Sequence, residues 1–101
     1  MQYILEDGKP VAIDDVLKWG AWFEEDDNRR VAEDEVGEAR VSTVFLGLDH
    51  SFGSGPPVLW ETMIFGGEHD EYQERYTSRI DAEDGHLRAM QLVKSPPNTR
   101  R

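Results

Sequence analysis

Two apolar runs separated by a short loop constrain this chain more than any other feature. Residues 40–48 read Arg-Val-Ser-Thr-Val-Phe-Leu-Gly-Leu. In an extended strand, alternation puts Val41, Thr43 and Phe45 on one face and Val44, Leu46 and Leu48 on the other. A strand apolar on both faces needs cover on both, so it belongs in the middle of a sheet. Residues 58–65, Val-Leu-Trp-Glu-Thr-Met-Ile-Phe, form a second strong strand. Two central strands need outer neighbours. Upstream, residues 29–34 make a short strand, followed by a tight turn in which Gly37 is free to take a left-handed backbone. Downstream, Gly66-Gly67 opens a turn, and residues 72–77 alternate but are mostly polar, which suits an edge. The pattern predicts an antiparallel four-stranded meander.

The flanks read as a hairpin and two helices. Tyr3-Ile4-Leu5 and Val11-Ala12-Ile13 bracket Asp7-Gly8, a pair suited to a turn whose two central positions both need positive φ. Pro10 confines its strand to an edge. Asp14-Asp15 supplies an N-cap, and Val16, Trp19, Gly20 and Phe23 form one helical stripe. Carboxylates at Glu24, Glu25, Asp26 and Asp27 oppose the helix dipole and end that helix. Ser78 or Thr77 caps a last helix over residues 79–93, with Ala82, His86, Ala89 or Met90, and Val93 facing inward. Gly85 inside it costs about 1 kcal/mol relative to alanine, which implies close packing on the sheet. The fold class is therefore α+β: a four-stranded meander with one helix before it and one after it, plus an N-terminal β-hairpin. Both helices are expected on one face of the sheet. Residues 1–94 form a single domain. Residues 95–101 form a basic tail with a proline pair, outside the fold. Trp22 lies off the Val16/Trp19/Phe23 stripe, so the first helix is apolar around much of its girth; either the hairpin or a homodimer covers the remainder.

Composition excludes whole classes of function. The chain has 101 residues and a formal charge of −10, from 21 acids against 11 bases. Direct nucleic-acid binding is not expected, because it requires a basic surface. There is no cysteine, so thiolate metal sites and cysteine nucleophiles drop out. No apolar run approaches the roughly 18 residues of a membrane span, and the first residues do not read as an export signal. A cytoplasmic protein is expected.

Candidate chemistry is sparse. Asp49, His50 and Ser51 are adjacent, but a catalytic triad is assembled from distant segments, since neighbours do not point at one another. His69 belongs to a turn. His86 falls on the inward stripe of the last helix and reads first as a packed histidine. Metal-ligand spacing is missing, as is a phosphate-binding loop around Gly53 and Gly55, so no metal or cofactor is expected. Residues 49–57 are either a long strand connection or a lid over a pocket. Glu61 is the conspicuous carboxylate. It alternates with Leu59, Met63 and Phe65, and if their face is buried it requires a cation such as Arg40, Arg75 or Arg79. On that reading its loss costs about 1–3 kcal/mol, more than loss of any acid at positions 24–27. A pocket drawing on His50, Glu61, Arg75 and His86 stays open beside this reading.

Residues 40–67, RVSTVFLGLDHSFGSGPPVLWETMIFGG, with residues 72–76 and the last helix, resemble a family of small phage and prophage proteins of unknown function. The resemblance implies a bacterial host cell and a mobile-element origin, and it supplies no catalytic residue. The leading expectation is a non-enzymatic accessory or anti-defence protein. It would bind a host protein, including one whose basic groove normally holds nucleic acid, through the acids Glu24, Glu25, Asp26, Asp27, Glu33, Asp34 and Glu35. Two alternatives stay open: a protein that binds or sequesters a nucleotide or metabolite, and a small hydrolase using Glu61 and His86.

Overall fold

In the computed structural model of the chain, residues 1–51, 53 and 55–95 are described. Strands β1 (Gln2–Glu6) and β2 (Lys9–Ile13) pair antiparallel. Their turn has φ of 51° at Asp7 and 79° at Gly8, the two positive values that the Asp-Gly pair implied. Helices α1 (Val16–Glu24) and α2 (Asp26–Arg29) follow. Strands β3 (Arg30–Val36), β4 (Ala39–Phe45), β5 (Trp60–Phe65) and β6 (Gln73–Tyr76) then make one antiparallel sheet in the order β3-β4-β5-β6. Helix α3 (Arg79–Lys94) closes the described fold. This is the α+β meander expected from the strand pattern. The expected tail lies, from residue 96 onward, outside the described residues, as do Phe52 and Ser54 of the 49–57 loop.

Local chemistry sets the helix ends. Asp15 caps α1, its carboxylate accepting from the amides of Leu17 and Lys18. The carbonyls at the other end of α1 are met from α2: Asn28 Nδ2 donates to the Trp22 carbonyl at 2.9 Å and Arg29 Nε to the Phe23 carbonyl at 3.0 Å. The chain therefore breaks after Glu24 and begins a second short helix instead of simply ending in acid. Ser78 is the cap of α3, its hydroxyl accepting from the Asp81 amide.

The two long helices do not share a task. Helix α3 lies along the sheet and buries Ala82, Gly85, His86 and Ala89 against it. Helix α1 sits at the sheet's end, beside β1. Trp22 meets Phe45 edge to face, with ring centroids 5.8 Å apart, while Trp19 stacks on Phe23 and donates Nε1–H to the Gly47 carbonyl. The hairpin reaches the same corner: the Tyr3 amide donates to Gly47, and Tyr3 and Leu5 pack on the Phe45–Trp60–Tyr76 cluster. Phe45 alternates with Val41 and Thr43, so Trp22 brings α1 to the face that α3 covers, but only at its end. Aromatic side chains draw α1 to the end of the sheet, because α3 already occupies the face. Val16 also leaves the predicted buried stripe and is 61 % exposed.

Gly85 is explained by one contact. A Cβ there would collide with the ring and hydroxyl of Tyr76. A side chain of any size would push α3 off β6, and the helix-propensity cost of glycine is the lesser penalty.

Candidate functional site: two sheet faces and an acidic end

The register assigns each strand residue to a face. On the face under α3, Thr43 pairs with Thr62 across β4 and β5, and Thr62 pairs with Glu74 on β6. On the opposite face, one row runs Arg30–Val44–Glu61–Arg75 and the next Glu33–Ser42–Met63–Gln73. A third row is Glu35–Arg40–Phe65. No helix covers these rows among the described residues, yet Glu61 is only 8 % exposed. Its neighbours do the burying. Arg75 Nε donates to Glu61 Oε2 at 2.9 Å and Gln73 Nε2 to the same oxygen at 2.5 Å. Of the three arginines considered from the sequence, Arg75 is the partner, because it stands directly opposite Glu61 in the register. Arg40 lies over the Phe65 ring at 4.5 Å and reaches Glu33 at 3.5 Å.

Two shallow depressions mark this face. One of about 170 Å³ is lined by Arg40, Ser42, Val44, Glu61, Met63 and Phe65. The other, about 210 Å³, shares Arg40, Ser42 and Val44 with it and extends past Glu33 to Arg29 and Arg30. The first has apolar walls and one carboxylate.

Beneath α3 runs a chain of polar groups. Asp34 Oδ2 lies 2.8 Å from His86 Nε2, His86 Nδ1 lies 2.7 Å from Thr43 Oγ1, and Thr43 Oγ1 lies 2.5 Å from Thr62 Oγ1. With Asp34 accepting from Nε2–H, the Thr43 hydroxyl donates to Nδ1 and the Thr62 hydroxyl to Thr43. Each group is then satisfied. The order Asp–His–Thr is that of a hydrolytic relay. Thr43 and Thr62 are fully buried, however, and His86 is 4 % exposed, so the hydroxyl has no approach for a substrate. At the far edge, Glu74 Oε1 accepts from Tyr72, Tyr76 and Arg88. Burial raises the Glu74 carboxyl, but the hydrogen bonds from Arg88 and the two phenols outweigh it and leave it lowered. Burial, against the opposing bond to Thr62 and reinforced by Glu74, pushes Tyr76 up to about 12.

The residues chosen from the sequence are therefore divided. Glu61 and Arg75 come together on the open face. His86 belongs to the opposite one. His50 sits beyond the end of β4, its amide bonded to the Val58 carbonyl. In the same connection Asp49 accepts from the amides of Ser51 and Val58, which hold its carboxyl below the usual range. The acids scatter as well. Glu24 and Glu25 are exposed near the end of α1, and Asp26, whose side chain is outside the described set, begins α2. Asp27 pairs with Arg30 at 2.8 Å, Glu33 with Arg40, and Asp34 with His86, while Glu35 remains exposed.

A different set of acids converges. Because β4 pairs with both β3 and β5, the β3–β4 turn and the β5–β6 loop emerge at one end of the sheet. A depression of about 210 Å³ there is lined by Glu38, Glu68 and His69, with Val36, Ala39, Gly67, Val93 and Ser95. Asp70 and Glu71 are exposed in the same loop. Helix α3 also ends there, so its negative pole adds to the carboxylates. The run Glu68-His69-Asp70-Glu71 was visible in the sequence; its meeting with Glu38 was not, because no local pattern reports which turns share an end of a sheet. No group of three His, Asp or Glu side chains able to hold a metal is found among the described residues. Nor is any described helix long and apolar enough to cross a membrane. No family model, no curated protein and no solved structure matches this chain.

Proposed function

We propose that this chain is a non-enzymatic accessory protein that binds a basic partner protein, with the acidic end of its sheet as the contact surface. The observation that carries the reading is the convergence of Glu38 and Glu68, from turns far apart in sequence, on one depression at the α3 C-terminus. Of the acids expected to bind from the sequence alone, Asp27, Glu33 and Asp34 are engaged with Arg30, Arg40 and His86, so the reading shifts toward Glu35, Glu38, Glu71 and Glu68, the last 3.8 Å from His69, while Asp70 is held by the Gly66 amide. A charge of −10 steers a cationic partner toward the molecule and repels nucleic acid. The resemblance of residues 40–67 to small phage and prophage proteins suggests a host protein as the partner and host defence as the setting.

The relay under α3 supports a role without catalysis, since its only hydroxyls are sealed. Glu61 and His86 occupy opposite faces of one sheet and do not meet on a single substrate atom. The test is capture of partners from a bacterial lysate by the intact chain and by the variant Glu38→Gln/Glu68→Gln. A basic protein should be retained by the parent, released as salt shortens the screening length from about 8 Å toward about 3 Å, and lost in the variant. Retention that ignores both salt and the two substitutions would overturn the reading.

A further inference from the structure

The open face holds a second, chemically different site. Both donors to Glu61, from Gln73 and Arg75, reach Oε2. Oε1 receives no hydrogen bond from any described residue and is the oxygen left open to solvent, although the Glu61 side chain as a whole is nine-tenths buried. The half-used carboxylate lines a depression of about 170 Å³ whose other walls are Val44, Met63, Phe65, Ser42 and the Arg40 stem. An acceptor held in place and open to a depression with apolar walls suits a hydrogen-bond donor carried on an apolar body. The volume narrows the choice, because a cavity of about 150 Å³ is enough for one benzene-sized ring. Charge narrows it further. Arg75 already offsets Glu61, and Arg40 stands at the rim over Phe65, so a cation gains little and meets a like charge.

We propose that this depression binds a small free aromatic molecule bearing one neutral N–H or O–H, of the phenol or indole class. The donor points at Glu61 Oε1, and the ring packs on Met63 and Phe65, with the thioether against its edge. A polypeptide side chain is the less suitable source, because its backbone has to lie over the Arg40 guanidinium at the rim and strip it of water.

The experiment is an amide and methyl NMR titration of the intact chain with indole and phenol, alongside N-methylindole and anisole, which keep the ring and lose the donor. Indole and phenol should shift the signals of Val44, Met63 and Phe65 saturably, with the methylated analogues about five- to tenfold weaker. Ser42→Trp, which fills the depression from its rim, should abolish the shifts. If that variant does not fold, Glu61→Gln serves in its place. Two donors at the Oε2 position require the amide oxygen there, which turns the NH2 toward the ligand, and the preference for indole over N-methylindole should vanish. Equal binding of donor and methylated analogue, shifts scattered over the surface, or indifference to Ser42→Trp and Glu61→Gln would overturn the site. Tighter binding of a blocked tryptophan dipeptide than of indole would overturn the assignment to a free ligand. None of these outcomes depends on the acidic end, whose own test is the lysate capture.

Discussion

The two faces of the meander solve the problem of buried polar groups differently. Under α3, Thr43, Thr62 and His86 are sealed from water and satisfy one another in a line that ends at the half-exposed Asp34. On the open face, Glu61 is nearly as buried but is satisfied on one oxygen only, by side chains from the edge strand. A closed network specifies packing and leaves nothing to offer a ligand. A half-closed one holds a group in place while keeping part of its bonding capacity unused. The comparison teaches where to look for function in a small chain: at the group that the fold holds in place while leaving one bonding position open to solvent.

Substitutions should separate the faces by size of effect. The largest loss is expected under α3. Gly85→Ala drives a methyl group into Tyr76 and should cost about 3 kcal/mol, with part of the loss recovered in the double variant with Tyr76→Phe. Denaturant melts of the four proteins measure the coupling; simple additivity of the two single effects would break the contact assigned here. Thr43→Val should follow at about 2 kcal/mol, since it strands His86 Nδ1 and the Thr62 hydroxyl away from water. The open face should respond less. Glu61→Ala should cost about 1–2 kcal/mol, because Arg75 and Gln73 are partly exposed and can return to water. Glu24→Ala, on an exposed acid at the end of α1, should be nearly silent when the two variants are compared in thermal melts. Equal melting temperatures for these last two variants would remove the distinction between a held carboxylate and a solvated one.

The smallest effect at neutral pH belongs to Tyr76, and it emerges only in alkali. Its hydroxyl ionises near 10.0 in the unfolded chain and about 12 in the folded one. Between those values the unfolded state has lost a proton that the folded state keeps. Stability from this group is therefore fully present below 10 and falls as pH rises toward 12. Melts across that range should slope downward in the parent and more gently in Tyr76→Phe. An unchanged slope would place the alkaline sensitivity elsewhere, with Tyr72, whose hydroxyl is also raised by burial, as the next group to replace.

What the sequence by itself determined was the set of elements and their order. Alternation of apolar residues defines β4 and β5 locally, the Asp7-Gly8 pair defines the hairpin, and Ser78 and the Ala82/His86/Ala89 stripe define α3, because each signal is written within a few residues. The pairing of Glu61 with Arg75 was within reach for the same reason: once strand order is known, register puts opposite residues in contact. The placement of α1 was decided by tertiary structure, since its amphipathic stripe says that a face is buried and not what buries it. The same holds for the three groupings that bear on function. His86 meets Asp34 and Thr43 from 52 and 43 residues away. Glu38 meets Glu68 only because β4 lies between β3 and β5. Glu61 keeps one oxygen clear of the other described residues and open to solvent because both edge-strand donors reach the other. Sequence patterns carry information over a turn of helix or a pair of strands, whereas sites are made by contacts between segments, and only the folded chain brings those segments together.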